Sequence, residues 1–155
     1  AEQALKPPML LKIAPDLRDD ELEDIAAACG GGAVDGIIVS NTTLGREGLR
    51  SPLKAEQGGL SGKPLLALST RVLAKMFLLT RGAIPLIGVG GVHDAATALL
   101  KIRAGASLVQ LYSALVYKGP ALVGDILSGL AQVGDLTRLR GSDAEALAHQ
   151  TGSGT

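Results

Sequence analysis

Short apolar runs alternate with longer stretches of helical periodicity along this chain, and the alternation repeats four times. Met9 to Ile13, after Pro7-Pro8, predicts a buried strand. Leu22, Ile25, Ala26 and Cys29 then recur at helical spacing. Asp19 or Asp20 is placed to cap a helix beginning at Glu21, and Gly30-Gly31-Gly32 ends it. Gly36 to Ser40 predicts the second strand. A long Gly-containing loop follows, from Asn41 to about Leu68, and loops of that length inside a compact domain are usually functional. Ser69 is the predicted cap of a helix to about Thr80. Pro85 to Val89 predicts the third strand, ending in Gly90-Gly91. Asp94 is the predicted cap of the next helix, with Ala98, Leu99 and Ile102 on its inner face and Gly105 closing it. Leu108 to Tyr112 predicts the fourth strand, and Gly119-Pro120 precedes a last helix to about Leu130. From Ala131 onward the pattern weakens, and Thr151 to Thr155 is expected to be disordered.

Four consecutive βα units predict an α/β fold with a parallel sheet. Two architectures fit: an open doubly wound sheet, or half of an eight-stranded barrel. The chain has 155 residues, and a whole barrel needs roughly 250. Length alone favours the open sheet. The composition, rich in small and aliphatic residues with 21 Gly, suits either. With 15 basic and 15 acidic residues, no Trp, one Phe and two Tyr, nothing favours a nucleic acid partner. Cys29 is the only cysteine, which excludes an intrachain disulfide and fits a reducing compartment. No apolar run reaches the roughly 18 to 20 residues of a membrane span, so the chain itself is expected to be soluble. Ala1-Glu2-Gln3-Ala4 does not resemble a signal peptide, and without an initiator Met the chain reads as a fragment or processed product.

Candidate chemistry lies at the strand ends, where βα folds build their sites. Lys12 sits inside an apolar strand, so it either faces an anionic ligand or snorkels to water. Ser40-Asn41-Thr42-Thr43 offers donors and acceptors for a small polar ring or carboxylate, or forms an ordinary turn. Gly58-Gly59-Leu60-Ser61-Gly62-Lys63-Pro64 is not a P-loop, because Pro64 stands where Ser or Thr is needed. Such a backbone can still approach a flat ligand closely. Gly88-Val89-Gly90-Gly91 fails the dinucleotide fingerprint, since position 93 is His, but leaves a glycine pair before a helix. Tyr112-Ser113 also precedes a helix. If these are the last two strands of a barrel, the two loops meet as a phosphate site.

Taken together, Lys12-Ile-Ala-Pro-Asp-Leu17, Ser40-Asn-Thr-Thr43, Gly58-Gly-Leu-Ser-Gly-Lys-Pro-Leu65, Ile87-Gly-Val-Gly-Gly91 and Ile102 to Tyr112 resemble the class 2 dihydroorotate dehydrogenases. They stand in that family's order and spacing over about residues 8 to 130. The resemblance implies the C-terminal half of a (β/α)₈ TIM barrel, with residues 1–130 as an FMN-binding half-barrel and 131–155 as a tail. It implies oxidation of dihydroorotate to orotate in pyrimidine synthesis, with electrons passed to a quinone. Lys12 would lie beside the flavin ring, where a fixed positive charge stabilises the anionic reduced form. Ser40, where the family more often has Thr, would contact the flavin, and Ser61 and Gly62 would lie along it. Gly90, Gly91, Tyr112 and Ser113 would hold the FMN phosphate. Asn41 and Thr42 would bind the substrate.

The family's catalytic serine belongs to the first half of its barrel, so no serine here is assigned as the base. The same holds for the membrane-associating segment that would place the complete enzyme on the cytoplasmic side of a membrane. Two exposed sheet edges and an apolar inner face predict pairing with the absent half, or self-association. Two alternatives stay open: an inactive half-barrel that binds FMN or phosphate, and another phosphate-binding barrel enzyme such as a sugar-phosphate isomerase. His93 reads as a surface or capping residue, Cys29 as packing, Arg103 as part of an ion pair, and Asp19 to Asp24 as a solvated face. The two His and one Cys have no metal-site spacing.

Overall fold

A computed structural model describes residues 6–150; the expected disorder over 151–155 lies outside the described residues. Four strands form one parallel sheet in sequence order: β1 (Leu10–Ile13), β2 (Gly36–Val39), β3 (Leu86–Val89) and β4 (Leu108–Gln110). Parallel neighbours need crossovers. Helix α1 (Asp19–Ala28) joins β1 to β2, α2 (Leu66–Leu79) joins β2 to β3, and α3 (Ala95–Arg103) joins β3 to β4. After β4 come α4 (Ser113–Lys118), α5 (Ala121–Ala131), α6 (Leu136–Leu139) and α7 (Ala144–Ala148). Four βα units in a row, without strand reordering, are the arrangement of a barrel segment and not of a doubly wound sheet, whose strand order reverses.

The sheet is covered on one face only. Ile13, Ile37, Val39 and Leu86 alternate along the strands and form one buried core with Val72, Leu73 and Met76 of α2. A second cluster joins Ala98 and Ile102 of α3 to Leu122, Ile126 and Leu130 of α5. Among the described residues no helix layer covers the opposite set of side chains. A Cβ at Gly36 would meet Leu10 Cδ2 at 2.9 Å and Ile87 Cδ1 at 3.7 Å, so these residues share the uncovered face. Leu10 and Leu108 there are 44% and 66% exposed. The expectation of a buried first strand is therefore corrected: only Ile13 of β1 is buried, because only its side chain among the four reaches the helix-side core fully.

Helix boundaries differ where side chains found other partners. α1 starts at Asp19, not Glu21, since the Arg18 N–H donates to the Glu21 carboxylate at 2.8 Å and three acids fall in the first turn. Ser69 is not a cap but lies inside α2, which a 3₁₀ turn at Lys63–Leu65 leads into. Asp94 does cap α3, accepting from the Thr97 N–H at 2.8 Å. The weakly patterned stretch beyond 130 folds as α6 and α7. Ala144, Leu147 and Ala148 of α7 join the core against α2. Residues 141 and 143 donate main-chain bonds to the end of α3, at 3.0 Å to Ile102 and 3.1 Å to Arg103. Arg103 forms the expected ion pair, with Asp143 at 3.5 Å. Cys29 is buried packing, and burial pushes its thiol pKa up. Among the described residues no helix is long and apolar enough to cross a membrane.

If α7 is part of the core, Leu147→Ala should destabilise the chain by about 2–4 kcal/mol. Urea denaturation checks this, and an unchanged midpoint would place α7 outside the cooperative unit.

Candidate functional site

Parallel pairing sends all four strand ends to one edge of the sheet, and a cleft of about 820 Å³ opens there. That volume falls within the range of ligand pockets, roughly 300–1,000 Å³. All ten predicted site residues line it: Lys12, Ser40, Asn41, Thr42, Ser61, Gly62, Gly90, Gly91, Tyr112 and Ser113. They come from four separate strand ends and the long loop.

Each wall has a local cause. The end of β2 is tied to β1 by the Asn41 N–H donating to the Ile13 carbonyl at 2.8 Å. Asp16 also bridges the two, accepting from the Thr43 hydroxyl and from the Leu44 N–H at 3.1 Å. Ser40 is 2% exposed, and its hydroxyl donates to the Asn41 carbonyl at 2.9 Å. Asn41 turns its Oδ1 onto the Thr42 N–H at 2.9 Å. The long loop is held as a second wall. Thr43 and Leu60 exchange main-chain bonds at 3.1 and 2.8 Å, and the Arg46 guanidinium donates to the carbonyls of Thr43 and Gly58. This carries Ser61 to the far side of the cleft, where it accepts from the Ser113 hydroxyl at 2.8 Å.

The glycines after β3 follow from what lies behind them. A Cβ at Gly88 would meet Lys101 Cβ, Leu73 Cδ2 and Ala106 Cβ at 3.1 Å. At Gly90 it would meet Ser69 Oγ at 2.7 Å, and at Gly91 the Leu66 Cβ at 2.5 Å. Gly90 and Gly91 also have φ of 102° and 79°, which side chains rarely adopt. Their N–H groups, and those of Ser113 and Ala114 opening α4, have no acceptor among the described residues. Free N–H groups from two neighbouring turns form a nest for an anion. α3 itself does not contribute its N-terminus, because Asp94 occupies it. Burial pushes the Asp94 carboxyl up, but hydrogen bonds from Thr97 and the electrostatic influence of nearby His93 and Lys118 outweigh this and leave it below the usual range.

Further residues that line the cleft have no site role assigned from sequence, among them His93, Lys118 and Lys63. His93 is a wall residue rather than a surface one. Its Nδ1 lies 2.7 Å from the Gly91 carbonyl and its Nε2 3.4 Å from Asp94. Lys118 reaches the His93 carbonyl at 2.7 Å and brings a cation to the rim. It ends α4, a helix the pattern between Tyr112 and Gly119 is too short to announce. Lys63 lines the cleft from the long loop. A further residue stands behind the cleft: Lys101 is wholly buried, and its ammonium donates to the Ser69 hydroxyl at 2.6 Å. Burial lowers its pKa from 10.5 to about 7.

The family model for dihydroorotate dehydrogenase matches residues 1–133. A dihydroorotate dehydrogenase (quinone) of Rhodospirillum rubrum is 51% identical over 150 residues, covering 96% of this chain and 40% of the relative. One from Brucella melitensis biotype 2 is 60% identical over 128 residues, covering 82% and 35%. The crystal structure of the Eimeria tenella DHODH in complex with ferulenol superposes with a TM-score of 0.81 at 39% identity, covering 97% of this chain and 40% of that one. The chain thus spans about two fifths of the length of these relatives.

Two outcomes are expected here. Gly90→Ala should cost roughly 2–4 kcal/mol by denaturation, because it combines positive φ with overlap on Ser69; a neutral effect would mean the turn is not held against α2. Lys101 releases its proton near pH 7 when folded but near 10.5 when unfolded. Between those values the unfolded chain binds more protons, so stability should rise with pH across about pH 7 to 10.5 from this group. Lys101→Met should flatten that slope in a denaturation series.

Proposed function

The chain belongs to the dihydroorotate dehydrogenase family, and from that premise we propose that it supplies the FMN-holding C-terminal half of a quinone-dependent enzyme that oxidises dihydroorotate to orotate in pyrimidine synthesis. The convergence of ten residues from four strand ends on one cleft, beside a nest of free N–H groups, carries this reading. In this reading residues 1–130 are the cofactor-binding unit and 131–155 its tail, of which α6 and α7 pack on the helical side.

The cleft fits FMN in size and in chemistry. The nest made by Gly90, Gly91 and Ser113, with Tyr112 beside it, suits a phosphate. Gly62, with φ of 75°, and Ser61 leave flat backbone along one wall for the ring. When bound, FMN accepts the two electrons released by dihydroorotate. Lys12 lines the cleft from the uncovered face, as Ser40 does from the end of β2, and a lysine there favours an electron-rich ring. Asn41 and Thr42 offer an amide and a hydroxyl at the rim for the substrate's ring and carboxylate.

Proton removal is not provided by these residues. Ser40 donates to its neighbour's carbonyl, and Ser61 and Ser113 are bonded to each other. The base and the route to quinone at the cytoplasmic side of a membrane then belong to the first half of the barrel. The exposed Leu10 and Leu108 on the uncovered face favour pairing with that half, or failing it, with a second copy. The same serine geometry favours a second reading, in which the isolated chain binds FMN without turnover.

Adding FMN, removing unbound flavin and recording the visible spectrum tests both. A retained, shifted flavin band is expected, with no bleaching by dihydroorotate. Bleaching should appear once the polypeptide of a relative's first four strands is added. Retention that never gives bleaching favours binding without turnover. Tight phosphate binding with no flavin retained, even after mixing, would overturn the FMN assignment.

A further inference from the structure

We propose that Lys101 is a positioning residue for the Gly90–Gly91 anion turn: through Ser69 it holds the back of the turn, and its charge is coupled to that of the anion on the front. This rests on reading that turn as the phosphate site.

An ammonium at 0% exposure is costly, and Met would fill the same volume without that cost. Packing alone therefore gives no reason for a cation here. Among the described residues no carboxylate pairs with it. On α2, Lys75 pairs with Asp19 at 2.5 Å and Arg71 reaches the Gln150 carbonyl at 3.5 Å. On α3, Arg103 pairs with Asp143, and the Asp94 carboxylate is held by Thr97. β3 carries no titratable group.

What Lys101 does have is Ser69. The Ser69 hydroxyl accepts from Nζ at 2.6 Å and has one proton of its own to give. Three carbonyls lie within reach: Leu65 at 2.8 Å, Gly90 at 3.1 Å and Leu66 at 3.2 Å. Donation into Oγ polarises that hydroxyl and strengthens its hold on whichever carbonyl it meets. Gly90 lies directly on Ser69, and Gly88 on the Lys101 stem, with no room for a side chain between. The turn is thus pinned from behind through its carbonyl while its N–H groups stay free in front.

Coupling runs both ways. A dianion on the turn favours the charged form of the buried amine, and the charged amine favours the dianion by the same factor. Since burial sets the amine's midpoint at about pH 7, the coupling operates in the neutral range.

The test uses the full chain and inorganic sulfate, a tetrahedral dianion whose charge does not change near neutral pH. Calorimetry gives sulfate affinity at about pH 6 and about pH 9, below and above the Lys101 midpoint. NMR follows the Gly90 and Gly91 amides at the lower pH, and the Lys101 Cε signal through the titration. Sulfate should shift both amides and raise the Lys101 midpoint. Lys101→Met should weaken sulfate binding roughly tenfold at the lower pH and little at the higher one. A variant weakened equally at both would have lost only packing. If sulfate shifts the amides but leaves the Lys101 midpoint unmoved, the coupling is refuted while the phosphate site stands. If neither sulfate nor FMN shifts them, both readings fall. Should Lys101→Met not fold, the midpoint measured in the unaltered chain decides alone.

Discussion

Parallel strand pairing is the constraint from which the rest of this molecule follows. Strands that all run one way must be joined by crossovers, so every return path is a helix on one side. Every strand then ends at the same edge of the sheet. Polar residues at four chain positions far apart in sequence, from Lys12 to Ser113, meet there without any long-range interaction designed to bring them together. The local bonds then only refine the meeting. Asp16 ties the first two ends, the Thr43–Leu60 bridge folds the long loop inward, and Ser61 closes against Ser113.

The same constraint explains the asymmetry of the fold. Four βα units place all their helices on one face, and in a closed barrel the other face would be filled by the remaining strands. Here that face keeps apolar side chains such as Leu10 and Leu108 without a covering layer, and the cleft opens onto it. The cleft at the edge of such a face is walled by the strand ends and the long loop. The nest of N–H groups needs only two adjacent turns and is complete within the chain. Among the described residues no strand faces the nest from across the cleft.

Much of this was legible in the residues. The four βα units and the Asp94 cap follow from periodicity and turn chemistry, and the ten cleft residues are picked out by the family resemblance of the strand-end motifs. What was not legible depended on partners distant in sequence. Ser69 has the chemistry of a cap, but inside α2 it serves Lys101 and Gly90, and nothing local distinguishes the two uses. Met9 to Ile13 reads as buried because a short apolar run says which residues belong together and not whether a layer covers them. α4 is too short for periodicity to show, so Lys118 was missed with it. α7 is held by α2 and the end of α3, and its own five residues carry little pattern.

Lys101 is the strongest instance of that limit. In sequence it is one more basic residue in the last turn of a helix, where a cation favourable to the dipole would excite no comment. In the fold that helix lies with its Lys101 side facing β3, and the three glycines of the turn pack onto Lys101, Ser69 and Leu66 in succession. Their smallness is therefore required twice, once for the positive φ of Gly90 and Gly91 and once for the approach of the groups behind. An anion turn made only of glycines would be free to rearrange, and each N–H would have to be ordered on binding. Packed against the Ser69 hydroxyl and the buried Lys101, the turn has already lost that freedom in the folded chain, so at the proposed phosphate site the ordering cost would be met by the core and not by the ligand.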